Sequence, residues 1–117
     1  MHKLVLAFRP PADPPAFERR WSEEFVPLAE RMPGLRRVAV ARAYGGPSGP
    51  PEIHLLHEFY FDDEAALRGA MASPEGQRAG RALMEFAAGR VSLVFAEHLE
   101  EVRPIPASSL PDPIRSG

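Results

Sequence analysis

Two rhythms of apolar and polar positions divide this chain. The helical rhythm is clearest between Phe17 and Leu28, where Phe17, Trp21, Phe25 and Leu28 recur at i, i+4, i+8 and i+11. That spacing stacks four large side chains on one helical face. Glu18, Arg19, Arg20, Glu23 and Glu24 cover the opposite side. Asp13 is placed to cap the start, and Pro14 and Pro15 fall in the first turn, where a missing N–H costs little. The spacing predicts a helix over residues 14–31, stopped by Met32-Pro33-Gly34. Pro27 lies inside it and removes the bond to the Glu23 carbonyl, which predicts a kink. A second helical region comes in two pieces. Asp62 or Asp63 caps residues 64–71, and Ser73-Pro74-Glu75 opens a new helix that Gly89 ends.

The alternating rhythm marks strands over residues 3–9, 35–44, 52–61 and 91–102. The second and third read as a hairpin around the Gly/Pro-rich loop of residues 45–51, and Ala39, Ala41 and Ala43 leave one face of the second strand small. The order is β-α-β-β-α-β, the split βαβ of a ferredoxin-like α+β fold with an antiparallel four-stranded sheet. Residues 1–102 form one domain. Residues 103–117, with Pro104, Pro106, Pro111 and Pro113, form a tail that is either disordered or laid over a neighbour.

Residues 3–9 are apolar on both faces: Leu4, Leu6 and Phe8 on one, Val5 and Ala7 on the other. Val91, Leu93 and Phe95 oppose Val94 and Ala96 in the same way. Helices cover only one face of such a sheet, so the other needs a partner, and a second copy of the chain packed sheet to sheet supplies one. A homodimer is therefore expected.

Composition narrows the function by exclusion. The 117 residues carry a net charge of −2 and no basic cluster, which gives nucleic acid no footing. There is no cysteine, so thiolate chemistry and disulfides are ruled out. No apolar run approaches the ~18 residues of a membrane span, and no charged-then-apolar leader opens the chain. Cytoplasmic residence and no membrane partner are expected.

The candidate chemistry is sparse. His57 shares a face with Ile53, Leu55, Phe59 and Phe61, while His54, Leu56, Glu58 and Tyr60 share the other. A histidine among large apolar groups is either a general base with a depressed pKa or a core residue satisfied by one hydrogen bond. His2 is expected to be solvated, and His98 lies on the last strand. No helix carries metal-ligand spacing, no serine sits in a Gly-x-Ser-x-Gly turn, and no glycine-rich phosphate loop occurs. No cofactor and no metal are expected. The stripe itself offers a ligand site, in which Trp21 and Phe25 line an apolar pocket between helix and sheet, closed by Phe86.

The pattern formed by Phe17, Trp21, Phe25, Pro27 and Leu28 resembles the first-helix signature of the EthD family, with Phe25 where that family usually carries a histidine. Ala72-Ser73-Pro74-Glu75-Gly76 and Phe86-Ala87-Ala88-Gly89 are similar to its second helix. The resemblance runs from about Lys3 to Val102. It implies a dimeric α+β barrel and a role in small-molecule catabolism, acting on or binding an apolar, aromatic or ether-like metabolite. Related barrels include haem-handling enzymes, but an aromatic at position 25 removes the motif's axial ligand and favours binding over acid–base work. An accessory protein that binds a ligand without transforming it remains the alternative.

Overall fold

The computed structural model describes residues 1–106. Four strands, β1 (His2–Phe8), β2 (Arg37–Arg42), β3 (Leu55–Phe61) and β4 (Val91–Glu97), form one sheet in the order β2-β3-β1-β4, all neighbours antiparallel. The helices are α1 (Pro14–Arg19), a π-helical segment (Arg20–Phe25), α2 (Val26–Ala29), α3 (Glu64–Ala72) and α4 (Pro74–Ala87). This is the ferredoxin-like α+β architecture that the alternation predicts. Residues 107–117 of the expected tail lie outside the described residues.

The caps are those the sequence indicates. The Asp13 side chain accepts from the Ala16 N–H, Asp63 from Ala66, and Ser73 from Gly76. The stripe helix departs from expectation, ending at Ala29 and carrying a π turn before Pro27. A proline ring collides with the carbonyl four residues back. Widening the preceding turn to i→i+5 bonds moves that carbonyl aside, and the Val26 N–H accordingly donates to the Trp21 carbonyl.

β1 keeps its expected length, one residue earlier, and β2, β3 and β4 are shorter than their hydropathy suggests. β3 starts only at Leu55, although the His54 N–H still donates to the Phe8 carbonyl at 2.7 Å. β4 stops at Glu97 because β1 runs out: the His98 N–H donates to the Met1 carbonyl, with no strand beyond it. The chain then crosses one end of the helix-free face. The His98 ring meets Tyr60 edge-on at 4.8 Å, its Nε2 lies 3.0 Å from Glu100, and Glu100 pairs with Arg37 of β2 at 3.6 Å. Tyr60 is thereby left only 3% exposed although it points away from the helices.

The core lies between the sheet and the helices, built on Leu4, Leu6, Phe8, Leu55, Phe59 and Phe61 below and Phe17, Trp21, Phe25, Leu67 and Leu83 above. The helices sit over the two central strands. Val40 on β2 and Leu93 and Phe95 on β4 stay exposed on the helix side.

The junction of α3 and α4 is closed so tightly that a side chain at Gly76 would run into the Ala70 carbonyl oxygen and come within 2.9 Å of the Met71 carbonyl oxygen. Both obstacles are backbone, which cannot swing away. Gly76→Ala should therefore cost about 1–3 kcal/mol, read as a lowered denaturant midpoint. A midpoint equal to wild type would contradict this packing.

Candidate functional site

The π-helical segment presents Trp21 and Phe25 to the middle of the sheet, where His57 sits on β3 between Leu6 of β1 and Val40 of β2. Trp21 Nε1 donates to His57 Nδ1 at 3.2 Å. An indole N–H can only donate, so Nδ1 must accept and the proton of neutral His57 resides on Nε2. That Nε2–H is buried with no partner. Phe59 lies against the imidazole at 4.2 Å between ring centroids, and Phe25 meets it edge-on at 6.0 Å. His57 is 1% exposed, and burial pushes its pKa down to about 4. It is neutral at pH 7, because no nearby carboxylate compensates the cost of charging it.

Arg42 covers the outer side of Trp21, its guanidinium 5.3 Å from the ring centroid, and is held there by a two-pronged ion pair with Glu18. Sequence reasoning missed this clamp. Glu18 reads as one of several solvated helix charges, and only the strand register brings Arg42 beneath it.

The four residues singled out from the sequence form a chain of ring contacts rather than the wall of one cavity. Phe25 touches His57, and Phe86 lies 6.3 Å from Phe25. Phe25 lines a narrow slot of about 30 Å³ between helices and sheet, together with Leu4, Leu6, Ala29, Met32, Phe59, Met71, Gly76, Ala79, Gly80, Leu83 and Leu93. Every one of these side chains is carbon, sulfur or absent. Met71, Gly76 and Gly80 also line a wide outer groove with Gln77, Arg81, Met84 and Glu85, so they form the threshold between slot and surface. Phe86 lines a separate cleft at the other end of α4. Trp21 and His57 line neither, and His57 adjoins the slot through its wall residues Phe25, Phe59 and Leu6.

The other histidines fall elsewhere. His54 precedes β3, and its ring meets Phe17 on the helix side at 5.4 Å rather than joining Leu56 and Glu58 on the open face. His2, expected to be solvated, is half-buried on β1 opposite Phe61 and Glu97. His98 lies just past β4. Among the described residues no group of three His, Asp or Glu side chains could hold a metal ion, and no helix is long and apolar enough to cross a membrane.

The EthD domain model matches residues 9–89, which include the whole aromatic stripe and both pieces of the second helical region. The chain belongs to the EthD family. An 11.0 kDa protein from the thcB–thcC intergenic region of Rhodococcus erythropolis is 35% identical over 97 residues, covering 83% of this chain and 94% of that protein. The crystal structure of an EthD family protein from Bacillus halodurans C-125 is 34% identical, with a TM-score of 0.82 over 85% of this chain and 99% of that one. At 22% identity, a dimeric ferredoxin-like protein from Jannaschia sp. CCS1 shares the fold, with a TM-score of 0.62 over 83% of this chain and 98% of that one.

Proposed function

We propose that this EthD protein takes up a small apolar metabolite in the slot between helices and sheet, as part of small-molecule catabolism. The observation that carries the reading is the slot itself, with its wholly apolar lining and a threshold of two glycines and a methionine leading to an outer groove. At about 30 Å³ the resting slot has room for little more than one water molecule. Met32 and Met71 are unbranched and re-pack readily, which lets the slot widen around a guest. The Bacillus halodurans relative is described as an ethyl tert-butyl ether D family protein, which supports an ether-like guest.

Gly80 provides the test. A side chain added there meets nothing within 4 Å, and its position is mid-helix. Gly80→Leu should therefore block the threshold while gaining helix propensity of about 0.5–1 kcal/mol. With diisopropyl ether and toluene as probes, wild type should show saturable binding and the variant none, at equal or higher melting temperature. Wild-type affinity in Gly80→Leu would refute the slot.

A catalytic reading is favoured by one observation, the unpartnered Nε2–H of His57. Such a donor could meet an ether or carbonyl oxygen once Phe25 swings aside. His57→Gln keeps an N–H donor of similar reach, and His57→Phe removes it. Equal turnover in all three forms, once a reaction is found, would remove His57 from the chemistry.

We also propose assembly as a homodimer through the helix-free sheet face, where Val5, Ala7, Leu56 and Val94 would meet their counterparts. The dimeric description of the Jannaschia protein supports this. Sedimentation at micromolar concentration should give twice 12.9 kDa, and a 12.9 kDa species alone would refute it.

A further inference from the structure

A second cleft, of about 250 Å³, opens where the end of β1, the start of α1 and the end of α4 meet. Its aromatic side is made by Phe17 and Phe86, 5.7 Å apart, with Phe8 stacked behind Phe86 at 6.4 Å. Its rim carries Arg9 and Arg90. These two arginines face one another across the continuation of the β1–β4 ladder, where the Arg9 N–H donates to the Arg90 carbonyl at 2.9 Å. Like charges directly opposite in an antiparallel pair destabilise it. Neither guanidinium has a carboxylate partner among the described residues, and the only polar contact of Arg90's side chain there is to the Pro10 carbonyl at 3.2 Å.

The other charges of the cleft are already engaged. Arg20 pairs with Glu24 at 2.6 Å and reaches Glu85 at 3.8 Å, and Asp13 caps α1 through the Ala16 N–H. Three guanidiniums against the two carboxylates of Asp13 and Glu85 leave the lining at a net +1. The unmet charge is therefore the Arg9–Arg90 pair, standing beside an aromatic wall.

We propose that this cleft binds a small aromatic carboxylate, its carboxylate between Arg9 and Arg90 and its ring against Phe86 and Phe17. Guanidinium groups match a carboxylate through paired N–H donors, and an anion between them removes their repulsion. A ring gains offset or edge-on contact with the two phenylalanines. The volume lies just below the ~300–1,000 Å³ of drug-sized sites, which suits an acid with one ring. The site is separate from the slot and does not depend on it.

Benzoate titrated into the full chain, followed by calorimetry, tests the proposal against toluene and inorganic phosphate. Benzoate should bind; phosphate, and toluene in the Gly80→Leu variant whose slot is blocked, should each bind about tenfold or more weakly, since each offers only half of the recognised chemistry. Arg9→Gln with Arg90→Gln should weaken benzoate by about tenfold or more without lowering the melting temperature. Gly80→Leu should leave benzoate affinity unchanged. No benzoate binding at millimolar concentration, or unchanged affinity in the double variant, would overturn the site. Phosphate binding as tightly as benzoate would overturn the aromatic part, and loss of benzoate binding in Gly80→Leu would move the ligand to the slot.

Discussion

Trp21→Ala is expected to lose about 3–5 kcal/mol of stability, the range for truncating a buried aromatic. Two separate effects add at this position. The indole, 7% exposed, fills space beneath the π turn, and its removal leaves a void that the surrounding rings cannot close by themselves. Its N–H also satisfies His57 Nδ1, which would be left buried without a partner at a cost of about 1–3 kcal/mol. Trp21→Phe separates the two, because it keeps most of the volume and removes only the donor. Denaturant unfolding should rank wild type above Trp21→Phe and that above Trp21→Ala. An alanine variant as stable as wild type would show that the stripe is not a core element.

Acid should destabilise the chain well before its carboxylates titrate. His57 has a folded pKa of about 4 against an ordinary 6.5. Between those values the unfolded chain binds more protons than the folded one, so stability falls as pH falls. The full contribution is present above pH 6.5, and its loss is complete below about pH 4. At about 1.4 kcal/mol per pH unit the total is roughly 3 kcal/mol. Glu18 and Glu58 lose stabilising partners too, but Arg42 and Lys3 hold their pKa values below the usual 4.5, so they act at lower pH. The decline from pH 6.5 to 5 is therefore the part to assign to His57. It is measured as free energy of unfolding against pH, and His57→Phe should flatten it. A flat wild-type curve over that window would mean that His57 charges without cost.

Much of this organisation was legible in the residue pattern. Phe17, Trp21 and Phe25 share a face because a stripe that must be buried repeats at the helical period, and His57 falls under them because alternation keeps it on the face of Phe59 and Phe61, which the helices cover. The π turn was not legible. Pro27 announces a distortion, but whether a helix kinks or widens depends on which side chains the sheet beneath must accommodate. Cavity shape was equally hidden, since Phe25 and Phe86 were joined in one pocket by sequence reasoning and line two different spaces in the fold. The Arg42–Glu18 clamp and the facing Arg9 and Arg90 both follow from strand register, which no single segment encodes.

The hydrogen bond from Trp21 to His57 has an optical consequence. Trp21 is the one tryptophan of the chain, so all indole fluorescence originates beside the buried imidazole, two ring contacts from the slot. A charged imidazole takes up excited-state electron density that a neutral one does not, so emission intensity tracks the protonation of His57. A guest that displaces Phe25 changes the same environment without changing the charge. Emission recorded at pH 7 thus reports occupancy of the interior, and emission recorded across the acid range reports the charging of His57 together with release of the Arg42–Glu18 clamp over the same ring, with no label attached.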